Sequence, residues 1–323
     1  MHTIERPLHT RADTAVTGFP TFICPVCRSQ LQKINSKGCI CPTGGHRYEK
    51  QDGVWHLLHP ERADYFDRFI REYRTIREAE GRWSRSAEYY RQLPFKDVSG
   101  KFSRDWRIRS KSFIAFREKV LQPMTADKGR SLTILDLGAG NGWFSYRVLE
   151  LGHVAVAVDL ATDDLDGLAA SKHFPHSFEC VQAEFEALPF AGEQFDLAVF
   201  NASFHYSENY ETTLRETFRV LKPEGQVVIL DSPVYHDRGS GEQMAAERNA
   251  AFRETFGIAS DSIQSENYLT FQRLDNLGTV LSVRWKRIRL FYTMKWHLKP
   301  VWAKLRGHRE PAKFMLFIGE KLQ

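Results

Sequence analysis

The sequence predicts an α/β protein, a largely parallel sheet with helices on both faces, preceded by a small cysteine-bearing segment and a helical stretch. Three observations carry this expectation. From residue 131 onward, apolar runs alternate with segments of helical period: "LTILDL", "VAVAVDL", "FECVQAE", "FDLAVFN" and "QVVILDS". Runs that stay apolar instead of alternating mark strands buried on both sides, as in parallel sheets covered by helices. The second observation is "GAGNG", a glycine-rich turn joining the first run to a helical segment. The third is the crowding of Cys24, Cys27, Cys39 and Cys41 into eighteen residues, far from Cys180.

Taken in order, residues 1–20 are polar and aperiodic and are expected as a flexible tail. Residues 21–59 are rich in Cys, Gly and turn residues and too short to hold a core unaided, so a bound metal is expected to supply their stability. Residues 60–128 read as helical: Phe66, Phe69, Ile70, Tyr73 and Ile76 recur at spacings of three and four, and a second stripe of Phe113, Phe116, Val120 and Leu121 is expected to end at Pro123. Residues 129–323 hold the α/β part. Its expected helices cover "WFSYRVLEL", 163–173 and 211–220, and "AKFMLFIGEK" is a late strand.

The chain carries a net charge of +5, yet the nine Lys/Arg and no Asp/Glu between Arg284 and Arg309 leave the remainder net acidic. No apolar run reaches the roughly 20 residues of a membrane helix. The opening "MHTIERPLHTRADT" lacks the apolar middle of a signal peptide, so a cytoplasmic location is expected. In a reducing compartment clustered cysteines point to a metal, not to disulfides, while Cys180, inside a strand, reads as a buried thiol.

A tight strand-to-helix turn needs residues without a Cβ, and the helix N-terminus it exposes offers unpaired N–H groups to a ligand. By itself such a turn also fits a dinucleotide site or a fold that binds nothing. Its details differ from a dinucleotide fingerprint: Gly138, Gly140 and Gly142 are spaced G-x-G-x-G, not G-x-G-x-x-G. Asp136, two residues before the first glycine, would repel a pyrophosphate but suits a ligand bearing an ammonium group. Asp159 ends the next strand, where a carboxylate can take ribose hydroxyls. A ribose joined to a cationic amino-acid end is the chemistry of S-adenosylmethionine.

With these residues in view, "ILDLGAGNGWFS", "VAVDL", "AEFEALPF", "FDLAVFNASFHY" and "LKPEGQVVILDS" resemble the successive motifs of class I S-adenosylmethionine-dependent methyltransferases, nearest the branch that includes quinone-biosynthesis enzymes. The resemblance spans roughly residues 130–235. It implies a Rossmann-like seven-stranded methyltransferase sheet with the last strand antiparallel. It also implies a cofactor site of Asp136, Gly138, Ala139, Gly140, Asn141 and Gly142 at the methionine end, and of Asp159 and Leu160 at the ribose. Glu184 and Phe185 would lie beside the adenine, with Glu where the family usually has Asp, and Asn201 beside the methyl group.

The segment "FICPVCRSQLQKINSKGCICPTGGHRYEKQDGVWHLL" holds a C-x-x-C pair, a C-x-C pair and His46, five candidates for a tetrahedral zinc site. It is similar to the N-terminal zinc ribbon of bacterial 23S ribosomal RNA guanine-N1 methyltransferases. That resemblance implies Cys24, Cys27, Cys41 and His46 as ligands, with one extra residue between the last two. A four-cysteine set including Cys39 is the alternative.

Transfer of a methyl group from sulfur needs reactants held in line, and needs a base only where the acceptor must lose a proton. His205, after the fourth strand, and Tyr235, after the next, are the catalytic candidates. The aromatic and arginine-rich helices before residue 129 are expected as a lid, where Tyr89, Tyr90, Trp106 and Arg109 combine flat faces with cations. The expected function is methyl transfer to a small-molecule or lipid-like acceptor at oxygen or carbon. An RNA acceptor gripped by the ribbon and the basic stretch 284–309 is one alternative, and a non-catalytic cofactor-binding partner subunit is another. Acceptor identity and oligomeric state are not encoded in any motif found.

Overall fold

Four short strands open the computed structural model, which describes residues 19–259 and 261–322; the expected tail therefore lies outside the described residues up to residue 18. β1 (Gln32–Asn35), β2 (Gly38–Ile40), β3 (Arg47–Gln51) and β4 (Val54–His56) form an antiparallel meander. Asp52 and Gly53, both at positive φ (48° and 82°), make the two-residue turn that matches strand twist between β3 and β4.

The helical stretch follows at once. α1 (Pro60–Glu80) starts on Pro60 in its first turn, capped by His59, and ends at Gly81 in the left-handed conformation. Next come α2 (Ala87–Gln92), α3 (Ser103–Phe116) and α4 (Gln122–Lys128). Pro123 does not stop the second helix as expected. A π-helical turn over Arg117–Leu121 carries the chain from α3 into α4, where Pro123 falls in the first turn and needs no N–H partner.

The remaining elements are β5 (Thr133–Leu137), α5 (Trp143–Glu150), β6 (Val154–Asp159), β7 (Glu179–Gln182), β8 (Phe195–Asn201), α6 (Tyr210–Val220) and β9 (Leu221–Leu230). They continue with β10 (Val234–Tyr235), α7 (Arg238–Phe256), β11 (Leu269–Thr270), α8 (Phe271–Leu281), β12 (Val283–Arg289), α9 (Met294–Leu305) and β13 (Met315–Lys321). The helix expected over 163–173 shrinks to a 3₁₀ segment, Leu168–His173. Ahead of it the Asp163 carboxylate accepts from the N–H groups of Leu165 and Asp166, an alternative that competes with helix formation.

The central strands run β7-β6-β5-β8-β9-β13-β12, with β13 antiparallel to both neighbours. This is the Rossmann-like order with one reversed strand that the resemblance implied. The sheet is nevertheless wider than seven strands, because β4 pairs in parallel with β7 and joins the meander to it, giving eleven. The cysteine segment thus shares a core with the sheet: Phe22, Trp55 and Leu57 pack with Leu135, Val181 and Phe190 on one face. On the other face Phe113 and Phe116 of α3 and Trp143 and Phe144 of α5 pack on Ile134, Leu197 and Val199. Successive residues of β5 serve opposite faces, as strand geometry requires.

Candidate functional site: a cleft at the strand ends and a cysteine–histidine cluster

A well-formed cleft opens beyond the carboxyl ends of β5, β6 and β8, the place where open parallel sheets bind ligands. Gly138, Gly140 and Gly142 all have positive φ, 77°, 54° and 80°. At Gly138 the need is also steric, since a Cβ would fall 2.2 Å from the Ser203 Cβ. The loop is pulled toward β6: the N–H groups of Gly138 and Ala139 donate to the Val158 carbonyl at 2.8 and 3.0 Å. Gly140 N–H donates to one carboxylate oxygen of Asp159 and Ala161 N–H to the other, each at 2.8 Å. Asp159 is thereby held with spare lone pairs facing the cleft.

Electrostatically this end of the cleft is strained toward a cation. Burial, with Asp159 nearby, pushes Asp136 up to about 7 despite a 2.8 Å hydrogen bond from Ser145. Its second oxygen, Oδ1, has no hydrogen-bond partner. Burial, aided by Asp166, raises Asp159 to about 6. Asn201 at the end of β8 is buried, lines the cleft and also has an unpartnered Oδ1. Orphaned buried oxygens are uncommon.

Of the expected cofactor residues, Gly138, Ala139, Gly140, Asn141, Asp159, Leu160, Glu184, Phe185 and Asn201 line the cleft. Asp136 sits behind the lining, and Gly142 is the residue before α5, its Cα against the Phe178 ring. Glu184 is taken: Arg62 of α1 donates to it at 2.8 Å and to Glu208 at 2.6 Å, while burial still raises the Glu184 carboxyl. Several lining residues carried no sequence signal of function. Asp166 receives Asn141 Nδ2 at 3.0 Å and an ion pair from Arg77, and Tyr206 and Ile263 close the outer wall. Phe66, Phe69, Ile70 and Tyr73 of α1, read from their period as a packing stripe, form the rest of that wall.

The two catalytic candidates fall elsewhere. His205 is buried outside the lining, its Nδ1 3.2 Å from Ser232 Oγ, and burial with Arg248 and Arg109 nearby pushes it down to about 3. Tyr235 is fully buried in β10, and burial raises its hydroxyl. Both lie near the right strand ends in sequence, but their side chains turn into the packing and not to the cleft.

In the N-terminal meander, Cys24, Cys27, Cys41 and His46 bring one ligand atom each within 4.8 Å of one another. Cys39 is not among them; it is buried in β2, its backbone paired with Lys33 and Tyr48. Three thiolates and an imidazole suit a tetrahedral, borderline-soft ion. The basic stretch is partly neutralised, with Arg284 on Glu320 at 2.6 Å, Arg287 on Asp275 and Arg309 on Glu247 at 2.8 Å. Among the described residues no helix is long and apolar enough to cross a membrane.

Strand order, glycine loop and acids define a methyltransferase-type α/β cleft. Residues 135–229 match the family described as methyltransferase domain. The malonyl-[acyl-carrier protein] O-methyltransferase of Erwinia pyrifoliae is 37% identical over 108 residues, covering 32% of this chain and 38% of the relative. The ubiquinone/menaquinone biosynthesis C-methyltransferase UbiE of Vibrio vulnificus is 34% identical over 116 residues, 32% of this chain and 42% of the relative. The chain thus spans about two fifths of the length of these relatives. Among solved structures, the 1,6-didemethyltoxoflavin-N1-methyltransferase of Burkholderia thailandensis is similar at 18% identity and a TM-score of 0.46, over 91% of this chain and 99% of that one.

Proposed function

We propose that the protein is an S-adenosylmethionine-dependent methyltransferase that methylates a small-molecule or lipid-like acceptor at oxygen or carbon, and that its Cys24, Cys27, Cys41 and His46 hold a structural zinc ion. The observation that carries the reading is the pairing of a glycine loop closed against Ser203 with two buried acids, Asp136 and Asp159, whose carboxyls burial raises. The residues present fit this cofactor. Asp136 and Asn201 offer unpartnered oxygens to an ammonium group, Asp159 offers its spare lone pairs to ribose hydroxyls, and Glu184 offers an acceptor to the adenine amino group once Arg62 shares it. When bound, the cofactor supplies a methyl group on a sulfonium, which is an activated leaving group.

The chain's own contribution is alignment and exclusion of water. The lid wall of Phe66, Phe69, Tyr73 and Trp106 lays apolar surface over the outer cleft, where an acceptor is oriented in line with the transferring group. No base is assigned among the lining residues. The two relatives, named for an acyl-carrier-bound malonyl ester and for quinone biosynthesis, support a small or carrier-borne acceptor. The RNA alternative has less behind it: β4 is spent on pairing with β7, and Arg284, Arg287 and Arg309 of the basic stretch are paired with acids.

The test has two parts. S-adenosylhomocysteine is expected to bind at micromolar concentration by calorimetry, and failure to bind overturns the cofactor reading. With tritiated S-adenosylmethionine and cell extract, label is expected in the organic phase. Label in RNA instead overturns the acceptor reading, and binding without any turnover favours the non-catalytic partner.

A further inference from the structure

Charge bookkeeping around the cleft leaves one group over. Among the described residues, the acids of the lining are all engaged: Asp159 by backbone N–H groups, Asp166 by Arg77, Glu184 and Glu208 by Arg62, and Glu186 by Ser207, Thr213 and two backbone N–H groups. Arg109 lines the same cleft from α3, and no carboxylate among the described residues comes within ion-pair distance of it. Its guanidinium lies 5.4 Å from the ring centroid of Trp106, one turn earlier, so its flat face is backed by an indole.

Arg109 is half-buried, and a charge withdrawn from water without a partner is costly unless a ligand completes the pair. Burial lowers the Arg109 pKa; Asp231 and Tyr73 act to raise it, and Arg77 and Arg82 to lower it further. The guanidinium fork matches a carboxylate or phosphate bidentately, which a lysine in its place would not do.

We propose that Arg109 is the anion-binding residue of this cleft, taking as its counter-ion a carboxylate or like anionic group on the bound small molecule. The reading rests on the proposed cofactor in one respect. Such an anion has two sources, the carboxylate at the amino-acid end of the donor or an acidic group on the acceptor beneath the aromatic wall.

The experiment separates them with Arg109→Gln and Arg109→Lys, each checked for an unchanged melting temperature and circular dichroism. S-adenosylhomocysteine and 5′-methylthioadenosine, which lacks the amino-acid end, are titrated by calorimetry. If the donor supplies the anion, Arg109→Gln weakens S-adenosylhomocysteine at least tenfold and leaves methylthioadenosine unchanged. If the acceptor supplies it, both nucleosides bind as to the wild type. Tritium transfer to the anion-exchange-retained small molecules of a cell extract then falls at least tenfold in kcat/KM, partly restored by Arg109→Lys, and the unretained pool takes no label. The proposal is overturned if the substitution changes neither nucleoside affinity nor transfer, or if, with nucleoside affinity unchanged, label arises equally from both pools. Wild-type protein that binds neither nucleoside would sink the cofactor reading instead, a result distinct from any effect of the variant.

Discussion

The two halves of the cleft are built from different materials. The inner half is backbone and short acids fixed to the sheet: glycines at positive φ, N–H groups bonded to Val158 and Asp159, and a carboxyl on each of two strands. The outer half is side chains on helices, with Phe66, Phe69 and Tyr73 from α1 and Trp106 and Arg109 from α3. Constraint on the inner half comes from the strands themselves, which are almost wholly buried. The outer half is held by packing, by the ion pairs of Arg62 with Glu184 and Glu208 and of Arg77 with Asp166, and by the segment from which α1 starts. The difference teaches where rigidity is spent, on one donor common to a fold, and where variation is left, on the acceptor.

The sharpest way to break the comparison is to add one carbon to the inner half. Gly138→Ala places a Cβ 2.2 Å from that of Ser203 at a φ of 77°, so the loop or β8 end must move. Overpacking and a left-handed alanine each cost about 1–3 kcal/mol. At about 1.4 kcal/mol per tenfold, S-adenosylhomocysteine affinity is expected to fall roughly 100-fold by calorimetry. Unchanged affinity would show that the loop does not approach the ligand.

The same contrast explains what could be read before the fold was known. The inner half was legible because backbone geometry demands glycine and the strand ends demand acids at fixed separations, so chemistry and spacing coincide in sequence. Cys24, Cys27, Cys41 and His46, the four that the zinc-ribbon resemblance implied, come together in the fold without Cys39. The outer half was legible only in part: of the residues expected in a lid, Trp106 and Arg109 line the cleft and Tyr89 and Tyr90 do not, while a packing stripe and a cleft wall have the same period, and Phe66 and Phe69 give no sign of which they serve. Arg62 on Glu184 and Arg77 on Asp166 join residues 122 and 89 apart in sequence, and nothing local announces them. His205 lies outside the cleft lining because position after a strand fixes where a residue begins and not where its side chain turns.

Metal removal should divide the halves. β4 runs from the cysteine segment through His59 directly into α1, so loss of a structural ion loosens the outer half first. Chelation, or Cys27→Ser, is expected to raise amide hydrogen exchange in residues 60–80 at least tenfold while 133–159 stay protected. Equal loss of protection in both would mean that the meander supports the sheet and not the lid.

Protonation sharpens the inner half further. With Asp136 raised to about 7, a cationic ligand must displace its proton at lower pH. Affinity for S-adenosylhomocysteine should therefore fall as pH drops below 7, approaching tenfold per unit, and Asp136→Asn should flatten the profile. The stability effect has the opposite sign. Since the folded value lies above the usual 3.8, the ligand-free protein holds more protons than the unfolded chain between these values, and its stability falls as pH rises through 7. Thermal melts across that range check the sign.

The smallest effect is expected from the most conspicuous histidine. His205 is buried beside Ser232, outside the lining, and a group pushed down to about 3 holds no proton to give at neutral pH and takes one weakly. His205→Gln keeps a hydrogen-bond partner for Ser232 at similar volume, so kcat/KM should change less than about threefold and the pH profile of transfer should keep its shape. Loss of a titrating limb in that profile would return the base to this position and show that the β8 end rearranges when ligand binds, which would make the inner half as mobile as the outer one.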